Sequence, residues 1–235
     1  MITIGGLEKS TLIDYPGRVA ATIFFVGCNF RCPFCYSSEL VLPEKILKQP
    51  RIPEKVFFDF LKERQRLLDG VVICGGEPTL QEDLPDFIKR IKDLGYLVKL
   101  DTNGSNPGML KLLIDKKLID YMAIDIKAPL KMQKYDVATG IRVDLEKIKE
   151  SIKIIKNSNI DYEFRTTIVP TIHEKEDIIQ IAKEIGPAKK YYLQNFRGEK
   201  TIDPRFEKIK PYQKDFLLEI QKEISPFFEI CQVRE

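Results

Sequence analysis

Apolar residues in this chain fall into short segments of two kinds that alternate along its length. Residues 19–26 form a continuous apolar run rich in β-branched and aromatic side chains, the pattern of a strand buried on both faces. Residues 53–68 instead place Val56, Phe57, Phe60, Leu61, Leu67 and Leu68 on one helical face, with Pro53 suited to the first turn. The alternation continues with strands over 70–74, 96–100, 121–126, 162–169, 190–195 and 227–233. Helices are read over 84–94, 107–117, 144–157, 174–185 and 212–224, with Asp144 placed to cap or charge a first turn. Strands separated by helices of roughly 10–15 residues are joined by right-handed crossovers and lie parallel. About six such units fit the chain, too few to close an eight-stranded barrel of about 250 residues. The expected fold is α/β: a partial, open (β/α)6 barrel in which residues 1–235 form a single domain without repeats or a domain-sized linker.

Bulk properties narrow the setting. The 38 basic and 35 acidic residues give a net charge of +3, too even a balance to argue for nucleic acid. No apolar run approaches the roughly 18 residues of a membrane span. The N-terminal stretch, with Gly5, Gly6, Glu8 and Lys9, lacks the apolar centre of a signal peptide. The expected location is the cytoplasm, with no membrane partner.

Three of the five cysteines lie close together, in Cys28-Asn29-Phe30-Arg31-Cys32-Pro33-Phe34-Cys35-Tyr36. A secreted disulfide scaffold would be shorter and would spread its cysteines more evenly, so clustered thiols here read as metal ligands. An iron–sulfur cluster normally takes four thiolates, and a loop that supplies three leaves one iron open to a chelating cofactor. The alternative is a structural zinc site, which is four-coordinate and usually built from paired CxxC or CxxC/HxxxH units. There is no second pair, the one histidine is His173, and Cys74 could in principle supply a fourth ligand. Cys74 and Cys231 otherwise read as small buried residues. Gly75-Gly76-Glu77-Pro78 directly follows a predicted strand, where glycine lets the backbone approach a ligand closely and Glu77 suits an ammonium. The same residues would also serve a plain strand-to-helix turn.

With these residues in view, the chain resembles the radical S-adenosylmethionine superfamily, whose hallmark is CxxxCxxC followed by an aromatic or similar residue. The resemblance implies a [4Fe–4S] cluster held by Cys28, Cys32 and Cys35, with S-adenosylmethionine chelating the fourth iron. One electron then splits the sulfonium to methionine and a 5′-deoxyadenosyl radical, the cofactor carrying the hard chemistry. It places Gly75, Gly76 and Glu77 at the cofactor's amino group, and Phe34 and Tyr36 among its contacts, Tyr36 against the adenine. Asp101-Thr102-Asn103 and Asp125-Ile126-Lys127 resemble segments of glycyl-radical-enzyme activases that flank the methionyl carboxylate and ribose. There, Asp101, Thr102 and Asp125 match positions that hold a monovalent cation. Arg165 matches an arginine near the cofactor's carboxylate, which a guanidinium can clamp. The alternative for Lys127 and Arg165 is an ordinary surface cation. His173 reads as a surface or helix-entry residue.

Longer matches, including 5–17, 75–81, 101–107 and 125–129, resemble activating proteins of anaerobic ribonucleoside-triphosphate reductases. The pattern departs at Tyr36, where that family often carries histidine. This implies a protein substrate: the radical removes a Cα hydrogen from a glycine of an anaerobic ribonucleotide reductase or another glycyl radical enzyme. A flavodoxin or ferredoxin-type donor would supply the electron. Two other readings stay open: a radical enzyme acting on a small metabolite, nucleobase or RNA, similar to 7-carboxy-7-deazaguanine synthase, and a non-enzymatic iron–sulfur or zinc binding module.

Overall fold

The computed structural model describes residues 2–234. Its centre is one eight-stranded sheet whose strands follow one another in chain order. The first, β1 (Ile4–Thr11), is antiparallel to β2 (Ala20–Phe25). The pairings from β2 through β3 (Gly70–Gly75), β4 (Leu97–Thr102), β5 (Tyr121–Asp125), β6 (Asp161–Ile168), β7 (Ala188–Asn195) and β8 (Phe228–Arg234) are all parallel. β1 and β8 are the two edges and do not pair, so the barrel stays open, as expected. The helices are α1 (Ser38–Val41), α2 (Pro43–Ile46), α3 (Glu54–Glu63), α4 (Leu84–Asp93), α5 (Pro107–Asp115), α6 (Met132–Thr139), α7 (Leu145–Lys156), α8 (Lys175–Ile185) and α9 (Lys214–Ile224). They occupy six crossovers, matching the number of units read from the sequence. No described helix is long and apolar enough to cross a membrane.

Alternation along each strand divides the sheet into two environments. Ile23, Phe25, Val71, Ile73, Val98, Leu100, Met122, Ile124 and Phe164 lie in the main core, fully buried under the helices. Phe57, Phe58 and Phe87 from α3 and α4 close around Phe25 with ring centroids 5.2–5.6 Å apart. The other face carries Thr22, Lys99, Asp101, Glu163 and Arg165, polar groups paired across the barrel interior. Tyr15, Ala20, Val72 and Tyr121 fill the interior at the opposite end from the cysteine loop. Fold and site therefore use the same strands: odd residues build the core and even ones the interior, or the reverse.

Several elements differ from expectation. β1 reads poorly in sequence because Gly5, Gly6, Glu8 and Lys9 interrupt it, yet it forms as an edge strand with Ile4 and Thr11 buried. The short helices α1, α2 and α6 also escaped the reading. The helix expected over 53–68 ends at Glu63, since Arg66 takes a left-handed turn at φ +70°. Asp144 does cap α7, its carboxylate accepting from the Glu146 amide at 3.1 Å.

Candidate active site

The C-terminal ends of β2 to β6 and the loop between β2 and α1 enclose a cavity of about 270 Å³. All the candidate residues line it: Cys28, Cys32, Cys35, Phe34, Tyr36, Gly75, Gly76, Glu77, Asp101, Thr102, Asn103, Asp125, Lys127 and Arg165. The cysteine loop has little regular structure, so other groups pin it. Arg31 donates to the carbonyls of Cys28 at 2.6 Å and Phe30 at 2.8 Å, and its own amide donates to Thr139 at the end of α6. Gly140 follows with φ +67°, and a side chain there would meet the Arg31 carbonyl at 2.3 Å, so only glycine lets α6 seat the loop this closely. From the other side, the amides of Ile202 and Asp203 donate to the carbonyls of Cys35 and Pro33. Burial pushes the Cys28 thiol up to about 11, Cys32 up to about 12, and Cys35 upward as well, while the Lys127 ammonium pulls all three the other way.

Behind the loop, two electrostatic features face each other. Glu77 is 1% exposed. Its Oε1 accepts from the Thr79 amide, Thr79 Oγ1 and Thr102 Oγ1, and its Oε2 from the Asn103 amide at 2.7 Å. All four donors are neutral, and burial holds the carboxyl above its ordinary value. The second feature is a ladder of charges across β4, β5 and β6. Asp101 is paired with Lys99 and accepts from Arg165 Nη1 at 2.8 Å. Asp125 accepts from Arg165 Nε at 2.8 Å and Lys127 Nζ at 2.9 Å. Burial opposes each charge, but the flanking cations hold both aspartates below the usual carboxylate range. Three cations against two carboxylates leave the ladder one positive charge in excess.

These contacts bear on each of the sequence readings. Lys127 and Arg165 are not surface cations; they are sheltered and face the cavity. Arg165 Nε and Nη1 donate to Asp125 and Asp101, so these two carboxylates, which match the possible cation positions, already carry protein partners. The glycines at 75 and 76 answer to backbone rather than to an open space: a side chain at Gly75 (φ +115°) would meet Phe25, and one at Gly76 would meet the Gly27 carbonyl at 2.0 Å. His173 does enter a helix, but it is 1% exposed, not a surface residue. Its Nδ1 accepts from the Val169 amide at 3.0 Å and its Nε2 donates to the Lys127 carbonyl at 2.8 Å, tying the ends of β5 and β6 together. Burial lowers its pKa, consistent with this neutral tautomer. Cys74 lines the cavity, as do Phe24, Phe30, Ser37, Val41 and Thr167, none of which was singled out as a site residue from the sequence. For Cys74 and Phe24 the available signal was strand parity, since both share the face of Thr22 and Asp101. Cys231 is a buried core residue, as read.

Residues 22–185 match the family described as the Radical SAM superfamily. Two proteins of Methanocaldococcus jannaschii have names that mark them as proposed glycyl-radical enzyme activating enzymes. One is 37% identical over 238 residues, which is 98% of this chain and 95% of that protein. The other is 31% identical over 214 residues, 83% of this chain and 77% of that protein. Among solved structures, Streptococcus suis SuiB bound to S-adenosylmethionine shares the fold with a TM-score of 0.67 at 17% identity. The alignment covers 88% of this chain and 48% of SuiB, so the chain spans about half the length of that protein.

Proposed function

The chain belongs to the radical SAM superfamily, and from that premise we propose that it activates a glycyl radical enzyme by removing a Cα hydrogen from one glycine of its partner. Enzymes of this family use a [4Fe–4S] cluster and S-adenosylmethionine, and this chain is such an enzyme. When bound, the pair supplies a one-electron cleavage of the sulfonium and a 5′-deoxyadenosyl radical that takes the hydrogen. The observation that carries the finer reading is the near full-length match to a protein named for glycyl-radical enzyme activation.

The residues present fit the cofactors. Cys28, Cys32 and Cys35 hold three irons: burial disfavours their free thiolates, and iron supplies the positive charge that stabilises them. Glu77, a buried carboxylate surrounded by neutral donors, takes the methionyl ammonium. The ladder's excess positive charge, presented by Lys127, attracts the methionyl carboxylate. Tyr36 bounds the adenine end, held by the Arg197 amide, which donates to its hydroxyl at 2.7 Å, and stacked on Phe196. Gly75 and Gly76 bring Glu77 to the cavity, and Asn103 carries the amide that fixes its second oxygen. The whole chain acts as one domain in the cytoplasm. Its protein substrate is an anaerobic ribonucleotide reductase or another glycyl radical enzyme, and a flavodoxin or ferredoxin-type donor reduces the cluster.

The test is anaerobic incubation of the reduced, cluster-loaded protein with S-adenosylmethionine and the candidate reductase. A glycyl doublet in electron paramagnetic resonance is expected. Cys28→Ala, Cys32→Ala and Cys35→Ala should each abolish 5′-deoxyadenosine formation, whereas Cys74→Ala should retain the cluster. Turnover of a small metabolite with no glycyl radical on any partner would replace this reading with the metabolite one.

A further inference from the structure

A second cavity, of about 410 Å³, adjoins the first and shares Tyr36 and Thr167 with it. Gln194 continues its wall. Thr167 and Gln194 face each other in the β6–β7 register, both half-buried. Among the described residues neither side chain has a hydrogen-bond partner. This sets them apart from their neighbours: Glu77, Asp101, Asn103, Asp125 and Arg165 are all engaged within the protein. Two uncommitted polar side chains therefore stand at the seam between the cofactor's cavity and the space beside it.

The chemistry of that pair points to a peptide. A carboxamide presents an acceptor and donors in one plane, the complement of a peptide unit with its C=O and N–H. A glycine has no side chain to grip, so it can be oriented only through the peptide units on either side of its α-carbon. An anionic metabolite finds less here. Lys200 is paired with Glu39 at 3.1 Å, and Arg234 with Glu163 at 2.9 Å, which leaves Arg197 at the exposed rim. We propose that Gln194, with Thr167 beside it, binds a peptide unit next to the target glycine and so holds the glycine α-carbon at the mouth of the cofactor cavity. The inference rests on the activase reading above.

The experiment uses anaerobic, chemically reduced, cluster-loaded enzyme, S-adenosylmethionine and a short peptide copied from the candidate reductase, its glycine carrying two α-deuteriums. Deuterium transferred into 5′-deoxyadenosine is read by mass spectrometry, and peptide binding by fluorescence anisotropy. Gln194→Met keeps the length of the side chain and removes its hydrogen-bonding groups. The expected result is a rise of about tenfold in peptide KM and Kd, with the KM for S-adenosylmethionine moving by less than about twofold. Gln194→Glu, which keeps acceptors but loses the donors, is expected to show a smaller rise in both. Equal peptide KM and Kd in wild type and Gln194→Met overturns the proposal and leaves the activase reading standing. Should Gln194→Met load less cluster, visible in its absorbance, Gln194→Glu is read by the same criterion. If wild type takes no deuterium from peptide or intact reductase but turns over a small metabolite, the activase reading falls and the proposal with it.

Discussion

Lys99 lies inside a strand and is 1% exposed, where an unpaired ammonium would cost several kcal/mol. Asp101 pairs with it on the same face of β4, and Arg165 and Asp125 extend the pairing to the next strands. Glu77, equally buried, has hydrogen bonds but no cation of this kind. That asymmetry gives a residue-scale expectation. Glu77→Gln removes the charge offered to the cofactor's ammonium, and a charge-assisted hydrogen bond contributes about 1.5–3 kcal/mol, so affinity for S-adenosylmethionine should fall roughly 10- to 150-fold in calorimetric titration. The same variant should unfold within a few degrees of wild type without cofactor, since it also removes a buried charge; an unchanged affinity would sink the assignment. The pH dependence has a definite sign. Ionised Glu77 is the binding form and burial raises its pKa, so affinity should begin to drop at a pH above the ordinary glutamate value as acid is added. The stability contributed by Asp101 and Asp125 behaves differently: their pKa values are lowered, so it is present above the ordinary aspartate value and lost as pH falls below it. Cys28, Cys32, Cys35 and Glu77 were legible because each sits in a short motif after a strand. Glu163 was not, because its buried charge is explained only by a partner far along the chain: Glu163 and Arg234 are 71 positions apart.

The cysteine loop depends on two neighbouring elements, neither of which was read as structure. α6 has a weak apolar stripe, and the segment between β7 and α9 is mostly irregular, so hydrophobic periodicity marks neither. Both act through backbone contacts that side-chain patterns do not encode: the Thr139 carbonyl at the end of α6, and the amides of Arg197, Ile202 and Asp203 in the later segment. The long strands and amphipathic helices were legible for the opposite reason, since burial of one face imposes a period. Tyr36 is one side-chain tie in this clasp, beside the Lys200–Glu39 pair, its hydroxyl receiving the Arg197 amide at 2.7 Å. Tyr36→Phe keeps the ring against Phe196 and removes the acceptor. A hydrogen bond contributes about 0.5–1.5 kcal/mol, so hydrogen exchange at Arg197 should quicken roughly 2- to 12-fold, with smaller gains at Ile202 and Asp203. Unchanged exchange at Arg197 would mean that the backbone ties hold the clasp without the hydroxyl.

At the scale of the molecule, an open barrel must close its interior without a last strand pairing to the first. Arg234 on β8 meets this requirement by reaching across β7 to β6. It forms a two-pronged pair with Glu163, at 2.9 and 3.1 Å, and lies 3.3 Å from the centre of the Tyr192 ring on the way. Tyr121 on β5 donates to the same carboxylate at 2.8 Å. One buried glutamate thus links β5, β6 and β8, below the charge ladder and on the side where the second cavity opens. Glu163 has no exposed surface, so removing its cation strands a charge. Breaking a buried pair in this way costs about 3–5 kcal/mol; with Arg234 partly exposed the lower end applies, so Arg234→Ala should cost about 3 kcal/mol. In a chain of this size that lowers the thermal midpoint by about 6–12 °C. Adding Glu163→Gln to Arg234→Ala neutralises the stranded carboxylate while keeping an acceptor for Tyr121, so the double variant should melt above the single one. If the double variant instead melts lower by the sum of the two separate losses, the residues act independently, and the interior is closed by packing of Tyr192 and Tyr121 rather than by the ion pair.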